Sequence, residues 1–265
     1  MSDTGFLDAQ DGVRLHYRVR HVDAPRAVVV VIHGFAEHSD RYDHVVEALA
    51  ASGFGVVVFD CRGHGQSSGR PRYIERFHEY VSDTRRMMEL ARARMPRLPL
   101  FLLGHSQGGL VALTVALDHG DELDGLVVTS PACGIAVPVP AWKELLAVVM
   151  ARVMPTLAIP SGLDPVFLTR DSTVVEAYVA DPLIGSDARA RWYTEFRGAQ
   201  DRLLKEAHRV QTPVLMLQAA EDRITDPESS SRVFDVLGSE DKTFRSLEGL
   251  YHEILNELDK EQSLA

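Results

Sequence analysis

The chain of 265 residues is 45% apolar and carries 28 Lys+Arg against 38 Asp+Glu, a formal net charge of −10. A chain of this length buries a core as one α/β domain with an insertion or as two small domains, and its composition excludes disulfide-stapled, collagenous and disordered classes. The acidic balance offers no broad field to nucleic-acid phosphates or anionic lipid headgroups, so nucleic acid is not expected as a partner.

In chain order, Met1 to Asp11 is polar and acidic, whereas an export signal opens with positive charge and continues into an apolar core. No apolar run approaches the ~20 residues that cross a bilayer. Cys61 and Cys133 lack zinc-type spacing and favour a reducing compartment, so a cytoplasmic protein is expected. Ala27–Ile32, Gly55–Asp60, Leu98–Leu103, Leu126–Ser130 and Pro213–Gln218 read as buried parallel strands alternating with helices. Between the first two, Ser39 or Asp40 can cap a helix with Val45, Val46 and Leu49 on one face, and Gly53 can end it in the left-handed conformation. A second helix runs from Gln107 to His119. The class is α/β: a mostly parallel twisted sheet with helices on both faces, whose ligands collect beyond the carboxyl ends of its strands.

The alternation stops at Pro131 and resumes near Thr212. The expected organisation is a core of residues 1–131 and 208–265 with an inserted helical lid of residues 132–207, opened by the proline-spaced stretch Val137-Pro138-Val139-Pro140. The first lid helix, about Ala141 to Met154, carries an apolar arc wider than one buried face needs. Packing on the core is one account of it. Contact with a lipid interface or an acyl chain is the other, since flexible Met and Leu side chains accept irregular apolar ligands.

The chemistry concentrates where strand Leu98–Leu103 meets Gly104-His105-Ser106-Gln107-Gly108 ahead of an apolar helix. This is G-x-S-x-G in the strand–turn–helix setting it requires. A serine on so tight a turn needs nearly side-chain-free neighbours, and the helix amino end behind it favours an oxyanion. Gly65-Gln66-Ser67-Ser68-Gly69 matches the same pentapeptide but lies in a polar glycine-rich loop, so Ser67 reads as a loop residue. A serine nucleophile needs a base and a carboxylate that orients it, and in this setting the chain order is Ser, acid, His. Asp222 follows the strand Pro213–Gln218, with Glu221 and Asp226 as rivals close by. His252 lies in a glycine-containing loop after the strand-like Lys242–Leu247. The amides of Phe35, after the first parallel strand, and of Gln107 are the candidate oxyanion donors. No metal or organic cofactor is expected.

Six segments then carry a resemblance: His33–Tyr42, Asp60–Ser67, Gly104–Gly109, Tyr178–Leu183, Ala220–Arg223 and Tyr251–Glu253. In order and spacing they resemble the monoacylglycerol lipase/lysophospholipase family of serine α/β-hydrolases over most of the chain. The resemblance implies an α/β-hydrolase fold with Ser106 as nucleophile, Asp222 as acid, His252 as base, and Phe35 and Gln107 as oxyanion amides. It departs from the family at Gln107, where Met or Leu is common. The implied activity is ester hydrolysis through an acyl-enzyme, with monoacylglycerol as substrate. A lysophospholipase or a broad carboxylesterase would share every one of these residues, and a non-catalytic ligand-binding homologue is a further alternative. The implied partners are a small lipid ester and, through the lid, a lipid surface; no protein partner is implied.

Overall fold

The computed structural model describes residues 2–136 and 139–264, so Val137 and Pro138 of the proline-spaced stretch lie outside the described residues. Strands β1 (Ser2–Asp8) and β2 (Arg14–Arg20) form an antiparallel pair. β3 (Ala27–Ile32) follows, then α1 (Asp43–Ala51), β4 (Phe54–Phe59), α2 (His78–Arg94), β5 (Leu100–His105), α3 (Gln107–His119) and β6 (Gly125–Thr129). Past an insertion that holds two short strands of its own come β9 (Val214–Ala219), α7 (Pro227–Val236) and β10 (Lys242–Leu247). One sheet takes them in the order β1-β2-β4-β3-β5-β6-β9-β10, parallel from β4 through β10 and antiparallel at the β1–β2 and β2–β4 pairs.

The all-apolar β3 is buried along its whole length because both its faces are covered. Val28, Val30 and Ile32 join one core with Met87 and Met88 of α2 and Leu110 and Leu113 of α3. Val29 and Val31, pointing the other way, join a second core with Val45 and Val46 of α1 and with Leu250 and Ile254. Period-two alternation on a doubly covered strand produces this division.

Three details differ from the sequence expectation. The β1–β2 pair has no counterpart in it. α1 is preceded by a 3-10 turn over Ser39–Tyr42, and neither this turn nor α1 has a side-chain cap at its start; the expected Gly53 does take a φ of 83° at the helix end. β5 runs to His105, past the expected Leu103, because Gly104 pairs with Ile32 and His105 with Thr129.

The insertion contains α4 (Ala141–Val153), the antiparallel pair β7 (Ala158–Pro160) and β8 (Asp187–Arg189), α5 (Ser172–Ala180) and α6 (Ala190–Glu206). α6 buries Trp192, Phe196, Ala199 and Leu203 in the same core as α3, and α4 packs on α6. The outer side of α4 remains in solvent: Leu145 and Val153 are 66% and 71% exposed.

Candidate active site

Ser106 stands between β5 and α3 with φ 53° and ψ −117°, a backbone conformation that costs a non-glycine residue of order 1–3 kcal/mol. Its surroundings fix that conformation. Ser106 N–H donates to the Thr129 carbonyl at 3.0 Å, and its own carbonyl accepts from Gly109, Leu110 and Ala132 at 3.0, 3.2 and 2.9 Å. Gly104 and Gly108 permit the turn: a Cβ on Gly108 would lie 2.1 Å from the Ile32 carbonyl oxygen, and one on Gly104 2.3 Å from that of Gly108. Gln107 and Gly108 begin α3, so their amides fall in the first turn, where N–H groups lack intrahelical acceptors.

The loop after β9 brings Asp222 to His252, whose Nδ1 is 2.7 Å from Asp222 Oδ2. Asp222 is held on both oxygens. Oδ1 accepts from the amides of Ile224 and Thr225 at 2.8 and 2.9 Å, and Oδ2 accepts from the Thr225 hydroxyl at 2.7 Å and from Gln218 Nε2 at 3.3 Å. The two rivals have other surroundings. Asp226 caps α7, taking the amides of Glu228 and Ser229, and Glu221 is exposed. Burial opposes ionisation of Asp222, but the charge and hydrogen bond of His252 and the Thr225 hydroxyl hold its carboxyl below the ordinary range. Burial likewise opposes protonation of His252, yet Asp222, then Glu253 and Glu37, hold it above the ordinary imidazole value.

Phe35 follows the His33-Gly34 turn at the end of β3. His33 shapes this turn: Nε2 accepts the Cys61 amide at 2.9 Å and Nδ1 donates to the Gly34 carbonyl at 2.7 Å. The turn lies directly over the serine, since a Cβ on Gly34 would stand 3.3 Å from Ser106 Cβ. Ser106, Phe35, Gln107 and His252 all face one cavity of about 450 Å³. Much of its apolar lining comes from the insertion, including Ala147, Ile159, Phe167, Leu168, Trp192 and Phe196. Among the described residues no hydrogen bond joins Ser106 to His252, which line the same cavity; hydrogen bonds between catalytic groups commonly close only in the substrate complex. A serine that shares one cavity with an Asp-oriented imidazole and first-turn amides is an arrangement suited to nucleophilic acyl transfer.

The other serine pentapeptide is structural. Ser67 Oγ donates to the Asp60 carbonyl at 2.5 Å and accepts the His16 amide at 2.8 Å, away from the cavity, and so ties the loop to β2. The sequence reading gave no role to Glu37, Arg41, His105 or Glu253, although all four lie in segments that carried the resemblance. His105 is packed with its ring centroid 4.8 Å from that of His252, and burial, then the His252 charge, pushes it down to about 4. Gln107 is also explained: its Oε1 accepts from Trp192 Nε1 at 3.0 Å, and the side chain is almost wholly buried.

Residues 23–259 match the family described as serine aminopeptidase, S33. A phospholipase, YtpA, of Bacillus subtilis is 34% identical over 241 residues, 90% of this chain and 92% of the relative. The monoacylglycerol lipase of Mycolicibacterium smegmatis is 33% identical over 253 residues, 93% of this chain and 88% of the relative. The crystal structure of the Paleococcus ferrophilus monoacylglycerol lipase superposes with a TM-score of 0.85 at 33% identity, covering 95% of this chain and 94% of that one. Family match, relatives and topology agree: the chain belongs to the serine aminopeptidase S33 family of α/β-hydrolases, within the group that resembles monoacylglycerol lipases, and is a serine ester hydrolase.

Proposed function

We propose that the protein hydrolyses monoacylglycerols to a fatty acid and glycerol. The carrying observation is the pairing of an Asp-oriented histidine and a turn-borne serine with a largely apolar cavity of about 450 Å³. That volume lies within the range of small-molecule sites whose walls supply affinity and whose few polar groups supply orientation. In this reading His252 takes the Ser106 proton as Oγ attacks the ester carbonyl, and the tetrahedral oxyanion accepts hydrogen bonds from the Phe35 and Gln107 amides. His252 then returns the proton to the departing glycerol oxygen as the C–O bond breaks. Water, deprotonated by His252 in the same way, releases the fatty acid from Ser106.

Residues 132–207 act here as a cap over the cavity. Leu145, Leu146, Val149, Val153 and Met154 present an exposed apolar strip on α4, which fits transient contact with the lipid surface that holds the substrate. No helix among the described residues is long and apolar enough to cross a membrane. A cytoplasmic location belongs to the same reading, supported by the free, buried Cys61 and Cys133.

A second reading, hydrolysis of a lysophospholipid, is favoured by Arg223. This exposed cation on the acid loop faces the cavity and stacks over Phe167 and Tyr251, with ring centroids at 5.3 and 5.9 Å, a position from which it could meet a phosphate. The relative named a phospholipase fits the same alternative. The test compares 1-monoolein, lysophosphatidylcholine and p-nitrophenyl butyrate, each with parent and Ser106→Ala. Monoolein is expected to give the highest kcat/KM, and Ser106→Ala is expected to lose turnover on all three. Preference for lysophosphatidylcholine would replace the first reading with the second, and turnover surviving in Ser106→Ala would remove both.

A further inference from the structure

One guanidinium joins the turn that carries Phe35 to the turn that carries His252. Arg41, almost buried at the end of the 3-10 turn, donates through Nη1 to Glu37 Oε2 at 2.6 Å. Through Nη1 and Nη2 it also donates to Glu253 Oε1 and Oε2, both at 2.6 Å. Glu37 passes the constraint onward: its Oε1 accepts the Gly34 amide at 2.5 Å and the Tyr42 hydroxyl at 2.7 Å. Glu253 directly follows His252. Its amide donates to the Leu168 carbonyl at 2.7 Å, and Asn256 Nδ2 donates to its Oε2 at 3.0 Å.

Both carboxylates are 3% exposed and both line the cavity. A single buried ion pair would neutralise itself, and replacing such a pair by apolar residues is often neutral for stability. Two carboxylates on one cation instead leave an excess negative charge on the wall of the cavity that His252 also lines. Stability alone does not call for that excess.

We infer that Glu37, Arg41 and Glu253 are positioning residues for the reaction, a clamp that holds the Phe35 amide and the His252 imidazole in one frame. The inference rests on the proposed reading of His252 as the base. The cluster also acts through charge. The groups around His252 are Asp222 at 2.7 Å, the His105 ring at 4.8 Å, Arg223 over the adjoining Tyr251, Glu257 paired to Arg170, and the cluster itself. Asp222 is the main stabiliser of the imidazolium, and Glu253 and Glu37 add to it. Removing the Glu253 charge therefore favours the neutral, proton-accepting imidazole at lower pH.

The test is the pH profile of kcat/KM on a short-chain monoacylglycerol, read as released glycerol. Glu253→Gln keeps the shape and removes the charge; its acid limb is expected to move to lower pH by about half a unit or more. Its plateau kcat is expected to fall about tenfold from lost orientation. Glu253→Asp, which restores the charge, is expected to return the limb to the parental position. Arg41→Lys keeps the charge and loses the two-pronged fork, so kcat is expected to fall about tenfold with KM unchanged and the limb in place. A Glu253→Gln limb that stays put or moves to higher pH overturns the charge role, and parental kcat in Arg41→Lys overturns the clamp. His252→Ala leaves the cluster untouched, so hydrolysis surviving in that variant would remove the underlying reading of His252 separately.

Discussion

Gln107 separates what a residue does through its main chain from what it does through its side chain. Its amide is the proposed oxyanion donor, while its side-chain oxygen accepts the Trp192 indole N–H and so ties α3 to α6. Gln107→Met removes that acceptor and leaves a buried donor unpaired. The unfolding free energy is expected to drop by about 1–3 kcal/mol in urea titration. The kcat/KM on p-nitrophenyl butyrate is expected to stay within about threefold of the parent, and a hundredfold loss would mean that the side chain itself works on the substrate. The setting of Ser106 was legible in its strand, turn and helix, and chain order marked His252 and the stretch around Asp222, although Glu221 and Asp226 remained rivals there; the structure brings Asp222 to His252. The clamp was not. Arg41 and Glu253 lie 212 positions apart, and each taken alone is an ordinary charged residue beside a motif. Ser67 shows the reverse, a motif match whose hydroxyl is fully used in holding a loop.

At the scale of elements, legibility followed the strength of the local pattern. Five of the six parallel strands are largely apolar runs and were found within a residue or two, and the polar edge strand β10 was legible only as the strand-like Lys242–Leu247. β1 and β2 were missed, although Leu15, Tyr17 and Val19 alternate with polar residues and are all buried. That signal is short and is interrupted by arginines that pair outward: Arg18 with Asp43 and Arg20 with Glu47. Sequence left α4 between two accounts, packing on the core and contact with lipid. In the structure Ala147 and Ala151 are buried and Leu145 and Val153 stand in solvent, which bears out the packing and leaves the lipid account to experiment. If the exposed strip meets a lipid surface, Leu145→Glu with Val153→Glu should lower the rate on vesicle-borne monoolein at least about tenfold while p-nitrophenyl butyrate turnover is retained. Each Glu replaces an exposed side chain, so the fold loses little; equal losses on both substrates would show that the strip serves the cap and not an interface.

At the scale of the molecule, the two faces of one sheet close two cores that differ in chemistry at their upper rim. There the strand ends gather buried histidines, and these link folding to pH. Burial holds His33 and His105 below the ordinary imidazole value, His105 at about 4, and holds His64 at about 3; the half-buried His44 is lowered as well. Between pH 6.5 and 5 the unfolded chain takes up protons at His64 and His105 and the native state does not, and the lowered His33 and His44 act in the same direction, so stability falls as pH falls. His252 works in the opposite sense: its value is raised, so its contribution is fully present below the unfolded imidazole value and is lost as pH rises through the folded one. Four groups oppose one. For the fully buried His64 and His105 the slope is of order 1.4 kcal/mol per pH unit each. Urea midpoints are therefore expected to fall steadily from pH 7 to pH 5. A flat midpoint over that range would show that the buried imidazoles are protonated in the native state, and a rising one that His252 outweighs them all.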